Sequence, residues 1–204
     1  ARAVASALNQ RVSPEEGLSD PVHRLRRGSH GGECGADFPS IVARYNPAMA
    51  NPEHWKLLLS ADWNEWRKKN ANVTPDLTDA DLSARDLSGK DLKRADLSRA
   101  NLSRANLSGA DLTRATLRSA SLSGVSAPGA VFEHCDLDFL DLSQTFFSGA
   151  RFRSASLQSC SLVRSNFAGA DLSVTKLEGS DLSEANLVGA NLSDVNFRGI
   201  KMAG

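Results

Sequence analysis

The sequence predicts an all-β solenoid. The evidence is one apolar repeat, whose period excludes both an α-helix and a long strand. Every fifth residue from Leu77 to Met202 is large and apolar except Ala127, and of the 26 positions 19 are Leu and 5 are Phe. On an α-helix, five residues turn by about 140°, which would scatter these side chains around every face. On a long strand, an odd repeat would send successive Leu residues to opposite faces. The chain must therefore bend once per repeat, and bends at a constant spacing form a coil.

Each five-residue unit combines two inward residues with a turn. Residues 100–104 show the pattern: a small residue, Asn or Asp, the central Leu, Ser and a variable residue. The small residue and the Leu lie two positions apart, so a short extended piece points both to the same side. The variable slot is Gly in ten copies. We predict type II turns at Gly, because the third residue of that turn needs a positive φ, and other turn types at Arg, Ser or Val.

The residue before the central Leu is Asp or Asn in 16 of the 26 copies. Both side chains are short enough to hydrogen-bond backbone groups within a turn. We therefore interpret these carboxylates and amides as structural and not as catalytic groups.

The chain before the repeat is expected to form two segments. Residues 1–50 are predicted to be irregular, with at most one short helix near the start. Residues 51–74 are predicted to be an amphipathic capping helix followed by a linker. Asn51 and Pro52 are typical of a helix start, and Glu53 would lie near the positive end of the helix dipole.

The predicted helix carries five large apolar residues on one face. They lie at i, i+3, i+4, i+8 and i+11, as Trp55, Leu58, Leu59, Trp63 and Trp66. An open end of a coil exposes apolar side chains and unpaired backbone groups, so it needs a cover. We expect this helix to cover the first coil; the alternative is an aromatic surface that docks a partner.

The repeat resembles the pentapeptide-repeat family, whose consensus A(D/N)LXX matches residues 80–84 and their neighbours almost letter for letter. The resemblance covers roughly residues 75–204. It implies a right-handed quadrilateral β-helix of about six and a half coils, with four repeats per coil and with the small residue and the Leu facing inward. At a strand spacing of about 4.8 Å per coil, the rod would be about 31 Å long.

Four repeats per coil would stack residues that are 20 positions apart. The column of central residues through Ala127 and the column beside it hold Phe residues, so we expect Phe132 and Phe147 to fill the volume that Ala127 lacks. A larger side chain at position 127 should then overpack the interior. Cys135 and Cys160 fall in the inward small slot and are predicted to be buried free thiols, which suits a reducing compartment.

Function is expected from outward slots, and one departure from the consensus lies in the middle of the rod. Val131 and Phe146 occupy the slot that normally holds Asp or Asn, and Phe139 occupies an outward variable slot. Exposed aromatic side chains on a short rod are typical of contact surfaces. With His134 and Arg151 nearby, these residues are the candidate partner-binding patch. The alternative is local packing across a widened coil.

Charge is distributed unevenly along the rod, although the whole chain has 24 basic and 24 acidic residues. Basic residues dominate the early coils and acidic residues the far end, an axial dipole that could orient a partner. The candidate basic surface comprises Arg94, Arg99, Arg104, Arg114 and Arg118. Stacking would distribute these arginines over three faces, whereas duplex DNA needs a concentrated stripe, so we do not expect a nucleic-acid partner.

The sequence offers little that supports catalysis. It contains no phosphate-binding loop, no recognisable Ser/His/Asp arrangement and no metal-site motif, so we expect neither an enzyme nor a cofactor. His23, His30 and Cys34 have a spacing that matches no standard metal site. The favoured hypothesis is a non-catalytic protein-interaction or scaffold rod with an unidentified protein partner.

The resemblance also implies an alternative function. Some members of the family mimic duplex DNA and bind DNA gyrase or topoisomerase, which gives resistance to inhibitors of these enzymes. Such mimicry needs a strongly acidic surface. From Asp76 onward, this chain has 16 acidic and 14 basic residues.

The last coil suggests a second kind of contact. No covering helix follows Phe197, Ile200 and Met202, so this end either pairs with a second copy of the chain or has lost residues. In the first case these three residues line a homodimer contact, an arrangement that is frequent in the family. No apolar run approaches the roughly 20 residues of a membrane span, and no signal peptide is visible, so we predict a cytoplasmic location without a membrane span.

Overall fold

The computed structural model describes residues 51–203, as two short helices followed by a rod of stacked coils. The predicted irregular segment at residues 1–50, with His23, His30 and Cys34, lies outside the described residues. Among the residues described, no helix is both long and apolar enough to cross a membrane.

The capping segment forms two helices, α1 (Pro52–Leu58) and α2 (Trp63–Lys69). The Asn51 side chain caps α1 as predicted, accepting hydrogen bonds from two backbone N–H groups of the first turn. Ser60 closes the end of α1, because its hydroxyl donates to the Leu57 carbonyl oxygen at 2.8 Å and accepts from the backbone N–H two residues later. The prediction of one continuous helix was wrong, since apolar spacing does not distinguish one long helix from two that share a face.

Parallel β-bridges join residues 20 positions apart along the rod, from the pair Asp76–Asp96 to the pair Asp181–Lys201. Hydrogen bonds on both sides of each bridge connect the coils. The Leu77 N–H donates to the Asp96 carbonyl oxygen at 2.8 Å, and the Asp96 N–H donates to the carbonyl oxygen before Asp76, also at 2.8 Å. This register confirms the predicted solenoid with four repeats per coil.

Four columns of central residues define the four faces of the rod. Face A contains Leu77, face B Leu82, face C Leu87 and face D Leu92, each with the residues at multiples of 20 further along the chain. The central side chains from Leu77 to Leu182 are all buried. The core of the rod is therefore a stack of apolar layers, each contributed by one coil.

Aromatic rings replace leucines in the middle of this core. Phe132 and Phe147 are fully buried, with ring centroids 5.6 Å apart in an edge-to-face arrangement, and Ala127 is also fully buried. Phe152 stacks on Phe132 at 4.9 Å, and Phe167 stacks on Phe147 at 5.2 Å. Faces C and D thus carry more side-chain volume here than faces A and B.

The corner between repeats has the same backbone conformation whether or not it holds Gly. φ is +61° at Gly89 and +59° at both Arg94 and Arg99. Within residues 51–203 the residue before a corner never has a positive φ, and an N–H such as that of Ala80 closes the turn onto the preceding central residue at 3.2 Å. All corners are therefore type II turns, as predicted at Gly, and the prediction of other turn types elsewhere was wrong. A four-sided coil keeps its register only if its corners turn alike, and this requirement outweighs the cost of about 1–2 kcal/mol for a left-handed residue other than Gly.

The Asp and Asn side chains before the central residues support these corners. The Asp76 carboxylate accepts the backbone N–H of Thr78 at 3.1 Å, and the Asp81 carboxylate accepts that of Ser83 at 3.1 Å. The same bond recurs along the rod. The interpretation of these residues as structural is confirmed.

Candidate interaction surfaces

The N-terminal end of the rod is closed by side chains that pair with the backbone of its first coil. The side-chain amide of Asn64 makes the two hydrogen bonds that a neighbouring strand would make. Its Oδ1 accepts the Asp91 N–H at 2.9 Å, and its Nδ2 donates to the Gly89 carbonyl oxygen at 2.9 Å. Trp63 Nε1 donates to the Asp91 carbonyl oxygen at 2.8 Å. An unprotected β edge would expose these groups to another chain, so α2 blocks edge-to-edge assembly at this end.

Two buried polar side chains, His54 and Arg67, complete the cap. Nδ1 of His54 accepts the Asp76 N–H at 3.1 Å. Burial lowers the pKa of His54 and the Arg67 charge lowers it further, while the Asp76 carboxylate opposes both effects. Arg67 donates to the carbonyl oxygens of Val73 at 2.8 Å and Lys93 at 3.0 Å. Sequence reasoning missed these bonds, although the position of both residues beside the cap tryptophans was a usable signal.

The predicted capping residues form an apolar cover for the first coil. Trp55, Leu58, Trp63 and Trp66 are buried, and Leu59 is half-buried. Because the tryptophan rings are covered, this segment does not offer the aromatic docking surface that was the alternative interpretation.

The five candidate partner-binding residues do not form one continuous surface. Phe139 lies at the corner between faces A and B and is 79% exposed, whereas Phe146 lies on face C and is 55% exposed. Val131 and Arg151 bridge each other on face D, with His134 at the next corner, and Val131 is buried. The prediction of a single patch is corrected, because residues seven or eight positions apart lie on different faces of a four-sided coil.

The stack of coils is interrupted at one level of the rod. In the part of the chain that the structure describes, no hydrogen bond joins the N–H groups of Ser119, Leu122 and Gly124 to the coil that follows. The equivalent bonds one coil earlier are intact, such as that from the Leu102 N–H at 2.8 Å. The two coils have therefore separated along face B and at the corner between faces A and B.

The following coil shows the same interruption. Among residues 51–203, the Asp141 N–H has no partner in the preceding coil, and the expected bridge between Ser121 and Asp141 is absent. Thr116 and Asp136 still form a bridge on face A, so the separation is greater on face B. Faces C and D keep their hydrogen bonds at this level, including that from the Ala127 N–H at 2.7 Å.

Leu140 accounts for this opening. It occupies the inward small slot, stacked between Ala120 and Cys160, and it is buried. Every other residue in this slot from 95 to 195 is Ala, Val, Cys, Ser or Thr. Because a Leu side chain overfills a slot suited to a methyl group, the coils move apart. The turn into Leu140 is also stretched, with its N–H 3.4 Å from the Leu137 carbonyl oxygen.

A cleft of about 360 Å³ lies at the corner where the coils separate. It is lined by Arg118, Ser119, Asp136, Asp138, Phe139 and Leu140. An ion pair between Arg118 and Asp136 at 3.1 Å lies at the cleft, and Asp138 accepts the Gln158 N–H at 2.8 Å. The segments 115–124 and 136–143 carry three Asp and one Arg, a net charge of −2. The cleft is therefore acidic, with one aromatic ring at its rim.

The arginines of the candidate basic surface lie at three different corners of the rod. Arg99 and Arg118 each form an ion pair with a carboxylate about one coil away. Arg94 and Arg114 lie one coil apart at the corner between faces D and A, and Arg104 lies between faces B and C. Within the described range, these last three arginines form no ion pair. The basic side chains are thus dispersed, which argues against a stripe for duplex DNA.

The C-terminal end of the described rod is apolar and open. Phe197 is 48% exposed and Met202 is 59% exposed, although both occupy the inward central slot, and Ile200 is half-buried. The N–H groups of Leu187 and Leu192 find no hydrogen-bond partner among residues 51–203. This end therefore presents an apolar layer together with an unpaired β edge.

The two cysteines of the rod are free and buried, as predicted. The Cys135 thiol donates to the Leu112 carbonyl oxygen and the Cys160 thiol to that of Leu137, each at 3.0 Å. Burial raises the pKa of both thiols to about 12, so neither is a reactive nucleophile at neutral pH. Within residues 51–203, no group of three or more His, Cys, Asp or Glu side chains is placed to hold a metal ion.

Comparison with known protein structures finds several rods built from the same repeat. A pentapeptide repeat protein from the thylakoid lumen of Arabidopsis thaliana is 31% identical over 46% of this chain and 65% of that one, with a TM-score of 0.44. This chain thus spans slightly less than two thirds of that protein. HetL of the cyanobacterium Nostoc, involved in heterocyst differentiation regulation, is 31% identical over 60% of this chain and 70% of its own length, with a TM-score of 0.30.

A third similar structure is QnrB1, a plasmid-mediated fluoroquinolone resistance protein. It is 22% identical over 61% of this chain and 79% of its own, with a TM-score of 0.47. No curated protein matches the chain.

The family model for pentapeptide repeats matches eight copies, over residues 76–114, 115–153, 130–167 and 165–202. Together these segments span residues 76–202, more than half of the 204-residue chain. They coincide with the part of the chain in which residues 20 apart form bridges. The chain therefore belongs to the pentapeptide repeat family, and its rod is the right-handed quadrilateral β-helix that the resemblance to this family implied.

Proposed function

We propose that this chain is a non-catalytic rod that binds another protein through its outer surface. The observation that carries the proposal is the exposure of Phe139, a residue that is 79% exposed at a corner of the rod. Nearly all other corners hold Gly, Ser or a charged or amide side chain. A large exposed ring is unfavourable in water and favours a partner that covers it.

The chemistry of the rod supports a role without catalysis. Both thiols are buried with raised pKa values, and His134 is the one histidine in the repeat sequence. Several serines have structural partners: the hydroxyl of Ser83, for example, donates to the Asp81 carboxylate at 2.6 Å, in the same turn. A cysteine nucleophile needs a nearby base or a lowered pKa to become active, and the pKa of both thiols is raised.

Affinity capture from the native cell tests this proposal. The full chain should retain at least one specific protein, and Phe139→Ser should reduce its recovery severalfold. Val188→Ser is the matched control, because Val188 is equally exposed but lies near the C-terminal end. If the unchanged chain captures no protein at low salt, or if both variants capture it equally, the proposed contact is wrong.

A second candidate function is binding to DNA gyrase or topoisomerase. The observation that favours it is the acidic C-terminal part of the rod. Residues 171–194 contain five carboxylates and only one basic residue, a lysine. The carboxylates are Asp171, Glu178, Asp181, Glu184 and Asp194. A supercoiling assay with a quinolone provides the test: this candidate requires the chain to restore supercoiling, and no rescue at any concentration of the chain eliminates it.

We also propose that the open C-terminal end pairs with a second copy of the chain. Phe197, Ile200 and Met202 would meet their equivalents, burying the exposed apolar layer that this end presents. The unpaired edge beside these residues supports this contact, because two such edges can hydrogen-bond to each other.

The cytoplasmic location stays a prediction. It is supported by the free thiols of Cys135 and Cys160, since thiols remain reduced in that compartment. Fractionation of the native cell checks it, and recovery of the protein from an oxidising compartment would contradict it.

A further inference from the structure

We propose that the cleft beside Phe139 binds an extended, positively charged peptide segment of the partner protein. This inference rests on the proposed function and assigns the partner a site and a chemistry. Three observations support it. Hydrogen bonds between the two coils are interrupted, the segments 115–124 and 136–143 on either side carry a net negative charge, and the exposed Phe139 lies at the corner between them.

The interrupted ladder supplies backbone groups that an extended peptide can pair with. On one side of the opening, the N–H groups of Ser119 and Leu122 have no partner among the described residues; on the other, neither do the carbonyl oxygens of Asp138 and Asp141. The main chain of an extended peptide presents donors and acceptors that can pair with such groups, as in other cases of strand addition.

The charge around the opening selects a basic segment. Residues 136–143 contain three carboxylates and no basic residue, and the facing segment contains only Arg118, which is already paired with Asp136. Asp138 and Asp141 are therefore left without a cationic partner among residues 51–203. A Lys or Arg of the partner would meet these carboxylates, whereas a nucleic-acid phosphate would be repelled.

Phe139 provides the apolar part of the site. Its ring lies at the rim of the cleft, where an aliphatic side chain of the peptide can cover it and a Lys or Arg can approach its face. The ring reaches this position because position 139 is a corner with φ of +64°, which turns its side chain away from the core. An extended segment that alternates apolar and basic residues matches the cleft in both respects.

Fluorescence anisotropy with two labelled peptides tests the site on the full chain. The probes are eight residues long, one alternating Val with Lys and the other alternating Val with Glu. The Val–Lys peptide should bind at least tenfold more tightly than the Val–Glu peptide. Phe139→Ser should weaken its binding severalfold, and Val188→Ser should leave it unchanged.

Leu140→Ala is the decisive variant, because it removes the side chain that separates the coils. The amide hydrogens of Ser119 and Leu122 should exchange rapidly in the unchanged chain and become protected in this variant, while binding of the Val–Lys peptide falls at least tenfold. If Leu140→Ala does not fold, Asp138→Asn replaces it, because it keeps an oxygen for the Gln158 N–H and removes one charge. This substitution should weaken the Val–Lys peptide severalfold.

The outcomes separate this inference from the proposed function. Protected Ser119 and Leu122 amides in the unchanged chain, equal binding of the two peptides, or full binding to Leu140→Ala or Asp138→Asn would each overturn the cleft as the site. If Leu140→Ala still captures the native partner, the partner binds elsewhere and only the cleft is wrong. If the unchanged chain binds the Val–Lys peptide but captures no protein from the cell, the proposed function is wrong and the cleft remains a peptide-binding surface.

Discussion

Single residues in the interior of this rod have opposite effects according to their volume. Leu140 overfills a small slot and separates two coils, whereas Ala127 underfills a central slot and leaves the ladder intact. The difference lies in the neighbours. Rings of Phe132 and Phe147 occupy the core near Ala127, while Leu140 stacks on small residues whose position is set by the coils above and below. A close-packed interior resists excess volume more directly than it resists a deficit that aromatic rings can fill.

Ala127→Leu tests this account of the core. The added side chain would compete with the phenylalanine rings, and we expect a loss of about 1–3 kcal/mol in the free energy of unfolding. Ala168→Leu is the control, because it adds the same atoms at an outward slot, where changes are usually within about 0.5 kcal/mol. Thermal or denaturant unfolding measures both, and a raised melting temperature for Ala127→Leu would contradict the account.

His54 makes the stability of the capped end depend on pH. Its Nδ1 can accept the Asp76 N–H only while the imidazole is neutral, and its pKa in the folded chain lies below the ordinary value of 6.5. Below about pH 6.5, the unfolded chain therefore takes up a proton that the folded chain resists. The stabilising contribution is complete above that pH and declines as the pH falls.

The measurement is thermal unfolding at pH 7.5 and pH 5.5, compared between the unchanged chain and His54→Gln. The Gln amide oxygen can accept the same N–H and does not titrate, so the variant should lose less stability on acidification than the unchanged chain. An identical acid response of the two proteins would exclude His54 as the cause.

At the scale of elements, α1 and α2 cover the first coil, which would otherwise expose apolar side chains and unpaired backbone groups. Asn64 and Trp63 satisfy backbone groups of the first coil while the tryptophan rings cover its apolar layer. Each helix has seven residues, too short to be stable alone, so the helices and the first coil must stabilise each other. The cap and the first coil are therefore expected to open together.

Trp63→Ala should open this end of the rod. Loss of a fully buried Trp typically costs about 3–5 kcal/mol, and here it also removes the bond to the Asp91 carbonyl oxygen. Hydrogen exchange should show lost protection at Leu77 and Leu82, which lie in the first coil, before protection is lost in later coils. Lys68→Ala is the control, because its exposed ion pair within α2 should contribute less than about 1 kcal/mol. Unchanged protection of the first coil in Trp63→Ala would show that the helices do not cap it.

At the scale of the whole molecule, the described rod has one covered end and one open end. The helices occupy the first coil, whereas Phe197 and Met202 expose about half of their side-chain surface at the other end. In the proposed contact, the exposed apolar layers of two copies meet, while α1 and α2 block edge-to-edge pairing at the other end of the described rod. The proposed assembly is therefore a dimer and not a fibre.

Sedimentation of the full chain measures this assembly. The unchanged chain should form a dimer, and the double substitution Phe197→Asp with Met202→Asp should give a monomer, because four carboxylates would be buried in the contact. Val188→Asp is the control at an exposed outward slot of the same part of the rod. A monomer at high concentration of the unchanged chain would rule out the proposed contact.

The local pattern of this protein was sufficient to predict its repeating features. The five-residue period excluded a helix and a long strand, and the spacing of Cys135 and Cys160 placed both thiols in the core. These predictions succeed because each repeat meets the same neighbours, so the local pattern repeats the tertiary environment. The cap residues Trp55 and Trp63 were also recognisable, since an open apolar layer requires a cover.

Tertiary structure decided the features that depend on stacking between coils. Phe139 and Phe146 are close in sequence yet lie on different faces, and Leu140 matters only because small residues stack above and below it. Asn64 bonds to Asp91 through a fold that brings together residues 27 positions apart. By itself the sequence determined a solenoid and its inward slots, because these follow from the period of the chain. The structure decided where the ladder opens and which side chains meet there, because coil separation depends on volumes that add up across neighbouring coils.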